Sequence, residues 1–454
     1  MKISKVILTL CSILIILGLI SFIFPEDGLV IGGLKLTFPS LNEILSDNKP
    51  QYADIDAIVE QTEEPKSEEK EIKRVKIKTE GITDIELPED NPAYLDNFFA
   101  ALDNSVKDND KVRIIHYGDS QIEGDRITSY LRTRLQDKFG GTGQGEIPLY
   151  SLSNIKNFSF KYSDGWHFYS IIDNKKTVFH RYGLMQSAAV ADGNDEYITL
   201  TAAKPVQGEI SLYYGFASPN SRISFFSGND ELKSYSLTAD SSLNKISFRA
   251  ENPIKSLTVK VEGHAELYSM DFSGKNGVYV DNVSLRGSSG YGFSKNNSEF
   301  LKSMSVQLNV KLIILQFGVN AVPQDEQEIM PSYHFYKVQF AKQIAYLKKT
   351  NPDAAIIVIG ISDRSRKKGN DYQTNPNIPM ILAAQKDAAK ENQVAFWNLF
   401  EAMGGENSMP SWVLREKPLA NPDFTHFNST GAKYVGEMFY KALESAYNYY
   451  KQSF

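Results

Sequence analysis

The stretch that decides the fold runs from Val112 to Asp125 and reads VRIIHYGDSQIEGD. Apolar residues fill its first half until Gly118-Asp119-Ser120 interrupts them, and from Ile127 to Phe139 apolar residues recur at every fourth position. This pattern predicts a buried strand, a tight turn and a helix. Ser120 then lies at the carboxyl end of the strand, where open α/β sheets bind ligands. A helix cap formed by Asp119 or Ser120 is the purely structural alternative.

A second polar stretch lies near the other end of the chain, from Asn421 to Gly431, and reads NPDFTHFNSTG. It places Asp423 and His426 at a spacing that one short turn can bring together. A serine hydroxyl becomes a nucleophile when an imidazole takes its proton, and a carboxylate holds that imidazole in the required tautomer. The two stretches together therefore predict a Ser–His–Asp arrangement. A surface turn before a helix is the alternative for the second stretch.

Two further apolar runs end in residues suited to the same sheet edge. One finishes as LQFGVN at Asn320, and the other as LRGSSG at Gly290, with Gly287 inside it. Because parallel strands bring their carboxyl ends to one edge of a sheet, these small and amide residues are predicted to lie near Ser120.

These blocks, in this order, resemble the SGNH hydrolase (GDSL esterase) superfamily, and in particular membrane-anchored bacterial O-acetylesterases of peptidoglycan and other polysaccharides. The resemblance implies that Ser120 is the nucleophile, His426 the general base and acid, and Asp423 its orienting partner. It also implies an oxyanion hole formed by the backbone N–H groups of Ser120 and Gly290 and by the Asn320 amide. Gly287 competes with Gly290 for the second block, and Ala321 follows Asn320 where the family usually has an acid.

Composition narrows the function further. The 454-residue chain is 42% hydrophobic with a net charge of −6, and it has no concentrated basic block outside its N-terminal part, so nucleic acid is not expected as a partner. Cys11 is its single cysteine, and its six histidines form no metal-binding spacing. We therefore expect neither a metal site nor a cofactor.

The N-terminal region predicts a membrane anchor in residues 1–27. The uncharged apolar run from Val6 to Phe24 is long enough to cross a bilayer, and Lys2 and Lys5 before it favour a cytoplasmic N-terminus. A cleaved signal peptide is the alternative. Residues 28–91 are interpreted as an extracytoplasmic, partly ordered linker. The resemblance places such a protein in the bacterial inner membrane, with its catalytic domain in the periplasm.

The rest of the chain predicts two interleaved domains. Strands alternate with helices in residues 92–150 and 277–454, which predicts a three-layer α/β/α sandwich with a parallel sheet of about five strands. Residues 151–276 instead show short alternating runs separated by turn residues, the pattern of an inserted β-sandwich. Its aromatic residues suit a sandwich core, with carbohydrate binding as the alternative.

Several other residues are candidates for substrate binding because of their predicted position. They are Asp119, Gln121, His180, Arg181, Gly287, Asp363 and Arg364. The glycine-rich stretch from Gly140 to Gly145 follows a helix and lacks a P-loop ending, so it is interpreted as a loop.

Three functional hypotheses follow. The leading one is a serine esterase that removes O-acetyl groups from a cell-envelope or extracellular glycan through an acyl-Ser120 intermediate. The second is an O-acetyltransferase that receives acetyl from a membrane acyl-donor partner and passes it to a glycan. The third is a non-catalytic glycan-binding protein on the same fold.

Overall fold

The computed structural model describes residues 81–452 apart from 106, 174–178 and 194. Before residue 81 it describes only residues 12 and 19–20 and two short paired strands, β1 (Leu29–Ile31) and β2 (Leu34–Leu36). The predicted anchor and most of the predicted linker therefore lie outside the described residues. Within the described part of the chain, no helix combines the length and the apolar character that spanning a membrane requires.

A parallel sheet of five strands forms the centre of the α/β domain. Its strands are β3 (Lys111–Gly118), β13 (Gly277–Ser284), β14 (Val310–Gln316), β15 (Ala355–Ile359) and β18 (Ala395–Trp397). They lie in the order β13-β3-β14-β15-β18, so β3 lies between the next two strands of the chain. In such a doubly wound sheet the ligand crevice opens where the strand order reverses, which here is the carboxyl end of β3.

Helices cover both faces of this sheet. They are α1 (Asp96–Asn104), α2 (Thr128–Phe139), α3 (Ser298–Gln307), α4 (His334–Thr350), α5 (Asn377–Glu391), α6 (Leu399–Ala402), α7 (Ser408–Leu414) and α8 (Ser429–Lys451). Apolar residues of α3, α4 and α5 pack on one face of the sheet, and those of α1, α2, α6, α7 and α8 pack on the other. The predicted three-layer α/β/α sandwich with a five-stranded parallel sheet is thus confirmed.

The β-rich insert forms a nine-stranded antiparallel sheet between β3 and β13. Its strands are β4 (Glu146–Pro148), β5 (Phe158–Tyr162), β6 (Trp166–Ser170), β7 (Ser187–Asp192), β8 (Glu196–Gly215), β9 (Arg222–Ser227), β10 (Asp230–Ser236), β11 (Leu243–Glu262) and β12 (His264–Asp271). The two halves of the long strands β8 and β11 contribute to one hydrophobic core, so the sheet covers a common interior. This sheet starts before residue 151, because β4 pairs with β12.

One small element had no counterpart in the sequence prediction. Strands β16 (Ser365–Lys368) and β17 (Asp371–Thr374) form a hairpin after β15. Both strands are short and largely polar, and the pattern of alternating apolar residues that would predict a strand is absent from them.

Candidate active site

Ser120 occupies the junction between β3 and the helical turn that follows it. The side chain of Asp119 caps this turn, a 3₁₀-helix from Ser120 to Asp125, by accepting from the Gln121 N–H at 2.9 Å. Gly118 is required before it, because a Cβ there would lie 2.9 Å from both the Gln316 carbonyl oxygen and the Ile122 side chain. The local sequence thus places the serine at the carboxyl edge of the sheet.

His426 meets Ser120 from the opposite end of the chain. The Ser120 Oγ and His426 Nε2 atoms are 2.8 Å apart, and His426 Nδ1 lies 2.8 Å from Asp423 Oδ2. A carboxylate can only accept, so Nδ1 carries the proton in this pair, which leaves Nε2 as an acceptor for the serine hydroxyl. The structure therefore brings the three predicted catalytic side chains into one hydrogen-bonded line.

The Asp423 carboxylate also organises the turn that carries the histidine. Its Oδ1 atom accepts from the backbone N–H groups of Thr425 at 3.0 Å and His426 at 2.9 Å. Partial burial opposes ionisation, but the hydrogen bonds from His426 and Thr425 prevail and lower the pKa of Asp423 below its usual value. Asp423 is thus a charged partner for the imidazole near neutral pH.

Two side chains connect the serine turn to the histidine loop. Gln121 Nε2 donates to the Thr425 carbonyl at 2.8 Å, and the Phe427 N–H donates back to Gln121 Oε1 at 3.4 Å. Arg126 donates to the Phe427 carbonyl at 2.9 Å and also to the Ser120 carbonyl. Gln121 was predicted as a substrate contact, but it is buried and holds these two segments together.

Arg126 was not among the residues predicted from the sequence, although its position before a helix is unusual for a cation. The residue lies two positions before α2, where the partial positive charge of the helix terminus disfavours a cation. Its contacts offset this cost, because Nε also donates to the Glu123 carbonyl at 2.8 Å. Its partner Phe427 is about 300 residues away in sequence, so no local pattern could have revealed the contact.

The two candidate oxyanion glycines differ in their hydrogen bonds. The Gly290 N–H donates to Ser288 Oγ at 3.1 Å, and the Asn320 side-chain amide donates to the Ser288 carbonyl at 3.1 Å. Among the described residues, no protein group accepts from the backbone N–H of Gly287 or of Ser120. Gly287 and Ser120 thus retain the unpaired donors that an oxyanion needs.

Asp119 is a second buried acid beside the serine. Burial raises its pKa to about 7, against the opposing effects of the Gln121 N–H, His426, Arg126 and the Asn320 side chain around it. Its Oδ1 atom accepts the helix-cap hydrogen bond. Asp119 thus combines a structural role with a position next to the nucleophile.

Asp363 and Arg364, both candidates for substrate binding, are engaged with other parts of the protein. Asp363 is fully buried and accepts from Thr374 Oγ1 at 2.8 Å and from the Met409 N–H at 2.7 Å, while burial raises its pKa to about 6. Arg364 donates to the Val319 carbonyl at 3.1 Å and pairs with Glu326 at 3.0 Å. Arg364 thereby supports the turn that carries Asn320.

His180 and Arg181, the other two candidates, contact groups outside the Ser120 site. His180 Nδ1 lies 3.0 Å from the Lys295 carbonyl oxygen, which makes it the donor in this contact. Arg181 pairs with the buried Glu266, and its guanidinium lies 3.8 Å from the centre of the Phe216 ring. The described contacts do not place either residue against the Ser–His–Asp line.

Comparisons with known proteins identify the fold. No protein-family model and no curated protein matches the chain. A solved structure titled "Peptidoglycan O-acetylesterase in action, 5 min" matches with a TM-score of 0.63 at 20% identity, covering 79% of this chain and 96% of that one. This chain therefore shares its fold with that protein.

A family two carbohydrate esterase from Clostridium thermocellum, solved with cellohexaose, also matches. Its TM-score is 0.25 at 8% identity, with 64% of this chain and 100% of that chain covered. A similarity this low does not contribute to the functional argument.

Within the described residues, no group of three or more His, Cys, Asp or Glu side chains could hold a metal ion.

Proposed function

We propose that this chain is a serine esterase that removes O-acetyl groups from a glycan through an acyl-Ser120 intermediate. The observation that carries the proposal is the line from the Ser120 hydroxyl through His426 to Asp423, with 2.8 Å at each step. The fold shared with the structure titled as a peptidoglycan O-acetylesterase supports the choice of acetyl and of a glycan.

The reaction follows from the hydrogen bonds. Ser120 Oγ attacks the ester carbonyl carbon while its proton passes to His426 Nε2, and Asp423 stabilises the imidazolium that forms. His426 then protonates the leaving sugar oxygen, which leaves acetyl on Ser120. Water attacks this ester after giving a proton to His426, and acetate departs as the proton returns to Ser120.

We assign the oxyanion hole to the backbone N–H groups of Ser120 and Gly287 together with the Asn320 amide. Gly287 replaces Gly290 in this proposal because the Gly290 N–H already has an acceptor in Ser288. The Asn320 amide has two N–H bonds, and only one of them is used by the Ser288 carbonyl. The amide also interacts with the neighbouring Asp119 carboxylate and lowers its pKa, and we assign its second N–H to the developing negative charge.

The test measures acetate release from 4-nitrophenyl acetate and from an acetylated glycan, together with labelling by a fluorophosphonate. We expect wild-type activity and labelling, both lost in Ser120→Ala and both retained in Ser303→Ala, a control at an exposed serine of α3. A folded wild-type protein without hydrolysis or labelling would refute the esterase. Acetyl transfer to an oligosaccharide in excess over hydrolysis would instead identify an acetyltransferase.

We further propose that residues 1–27 tether the catalytic domain to the outer face of a bacterial inner membrane. The uncharged run from Val6 to Phe24 supports this. The full chain should stay with membranes after a carbonate wash, and a chain lacking residues 1–27 should be released. Release of the full chain would refute the tether.

A further inference from the structure

A large groove lies between helix α2 and the β-rich insert. It has a volume of about 930 Å³, and its lining includes α2, the glycine-rich loop at Gly143, and strand β8 with the segment before β13. Pockets of this size at domain junctions commonly bind ligands. Neither the proposed mechanism nor the candidate substrate contacts use it.

The groove continues toward the end of β13 through a second, narrower cleft. Thr142 and Gly274 both line the groove, and the Gly274 N–H donates to the Thr142 carbonyl at 2.8 Å. A narrower cleft of about 30 Å³ shares Arg132, Gln144 and Lys156 with the groove and reaches Ser284, the last residue of β13.

The end of this path adjoins the catalytic serine. The Ser284 hydroxyl donates to the Asp119 carbonyl at 3.2 Å, and Asp119 directly precedes Ser120. A glycan that extends from the groove through this cleft would therefore bring one of its units close to Ser120.

The charge of the groove is positive in a chain whose net charge is −6. Lys156 donates to the neutral Ser129 hydroxyl at 3.1 Å, so its charge is not compensated there. Lys204 and Lys275 are exposed, and no partner for either is described. The acid that lines the groove, Glu209, already faces Lys245 at 3.5 Å.

Polar and aromatic groups complete a surface suited to sugars. The side-chain amides of Gln136, Gln144 and Asn157 line the groove, and the half-buried Phe158 ring stacks on Phe272 with 5.0 Å between the ring centres. The three amides also donate to protein acceptors, which fixes their orientation, and the aromatic ring offers an apolar surface for the C–H face of a sugar.

We propose that this groove binds an acidic polysaccharide, a glycan that carries carboxylates, and guides its acetylated units to Ser120. The inference rests on the proposed esterase function and specifies the class of substrate. Lys204 and Lys275 attract the carboxylates, and the narrow cleft that reaches Ser284 connects that binding to the region of the reacting serine.

The test reverses the two exposed charges in the full chain. The variant is Lys204→Glu/Lys275→Glu. The matched control is Lys302→Glu/Lys342→Glu, at two exposed lysines of α3 and α4, which pack on the opposite face of the parallel sheet from α2. Substrates are acetylated pectin as an acidic polymer, acetylated glucomannan as a neutral polymer, and 4-nitrophenyl acetate.

We expect KM for acetylated pectin to rise about tenfold in the groove variant at low salt, and the increase to shrink in high salt. KM for acetylated glucomannan and the hydrolysis of 4-nitrophenyl acetate should not change, and the control variant should resemble the wild type. An unchanged KM for pectin, or an equal rise for glucomannan, would overturn the proposal.

Affinity electrophoresis through gels that contain de-esterified pectin separates this proposal from the esterase itself. Ser120→Ala should be retarded like the wild type, and the groove variant should be retarded less. If the wild type hydrolyses no ester but this difference persists, the esterase fails and the groove stands. If retardation is equal in all variants, the groove fails whatever the activity.

Discussion

The loop between β13 and α3 allows a matched test of what positions the oxyanion hole. Gly287 and Gly290 both have positive φ, at 81° and 90°. Alanine at either position therefore carries a backbone cost of about 1–2 kcal/mol. The two sites differ in what a new Cβ would meet: nothing lies within 4 Å at Gly287, whereas at Gly290 the Phe340 ring would be 2.7 Å away.

The contact of a Cβ at position 290 with the Phe340 ring determines how much more Gly290→Ala should destabilise the protein than Gly287→Ala. Phe340 and Phe317, whose ring would lie 3.1 Å from the same Cβ, are both buried and have little room to move. Overpacking of a core costs about 1–3 kcal/mol. We expect Gly287→Ala to lower the free energy of unfolding by about 1–2 kcal/mol and Gly290→Ala by about 2–5 kcal/mol.

Urea unfolding followed by circular dichroism measures both values, and 4-nitrophenyl acetate hydrolysis is followed in the same samples. Gly290→Ala should also lose more activity than its stability predicts, because the displaced loop carries both Gly287 and the Ser288 carbonyl that holds Asn320. Equal destabilisation by the two substitutions would refute the argument, since the backbone cost is shared and only the ring contact differs.

Three further substitutions test the site. Asn320→Ala should lower kcat about 10²- to 10³-fold with little change in stability, because it removes one oxyanion donor; an unchanged kcat would exclude Asn320 from the hole. Arg126→Met should lower kcat while KM stays constant, with partial recovery in Arg126→Lys, because the arginine joins the Ser120 and Phe427 carbonyls; a change confined to the melting temperature would make it purely structural. For Asp119, the raised pKa of about 7 means that the folded protein keeps a proton that the unfolded chain loses near pH 4, so wild-type stability falls as pH rises between these values. Asp119→Asn should remove this pH dependence, so the variant should become more stable relative to the wild type between pH 4 and pH 7 when both are unfolded by urea. A constant difference would contradict the assignment.

The fold was predictable because its signals are local. Each parallel strand is a short apolar run, and the run before Gly118 ends where β3 ends, so counting runs gave the five-stranded sheet. The pairing of Asp423 with His426 was predictable for the same reason, since both lie on one turn. Ser120 follows the central strand β3, so the topology of the sheet places it at the ligand-binding edge, where it contacts His426.

The remainder of the site depends on contacts that sequence spacing does not encode. Asp363 follows β15 at the ligand edge, as expected. Its carboxylate, however, accepts hydrogen bonds from Thr374 of β17 and Met409 of α7. Gly287 and Gly290 are equivalent in sequence, and the Ser288 hydroxyl distinguishes them only through its three-dimensional position. A sequence pattern can thus predict that a residue lies at the sheet edge. The direction of its side chain depends on contacts with residues that are distant in sequence.

A buried ionic cluster explains why the insert and the parallel sheet can form one binding surface. Arg113 of β3 contacts Asp281 of β13 at 2.6 Å and Asp271 of β12 at 3.0 Å, and it lies 4.0 Å from Glu146 of β4. Burial raises the pKa of Glu146 to about 8 and also raises the pKa of Asp281, and in both cases the Arg113 guanidinium opposes this effect. Separating the sheets would leave Arg113 buried without partners or bring it into water together with the apolar surface around it. Because either outcome is costly, the cluster holds β12 and β4 of the insert against β3 and β13 of the parallel sheet.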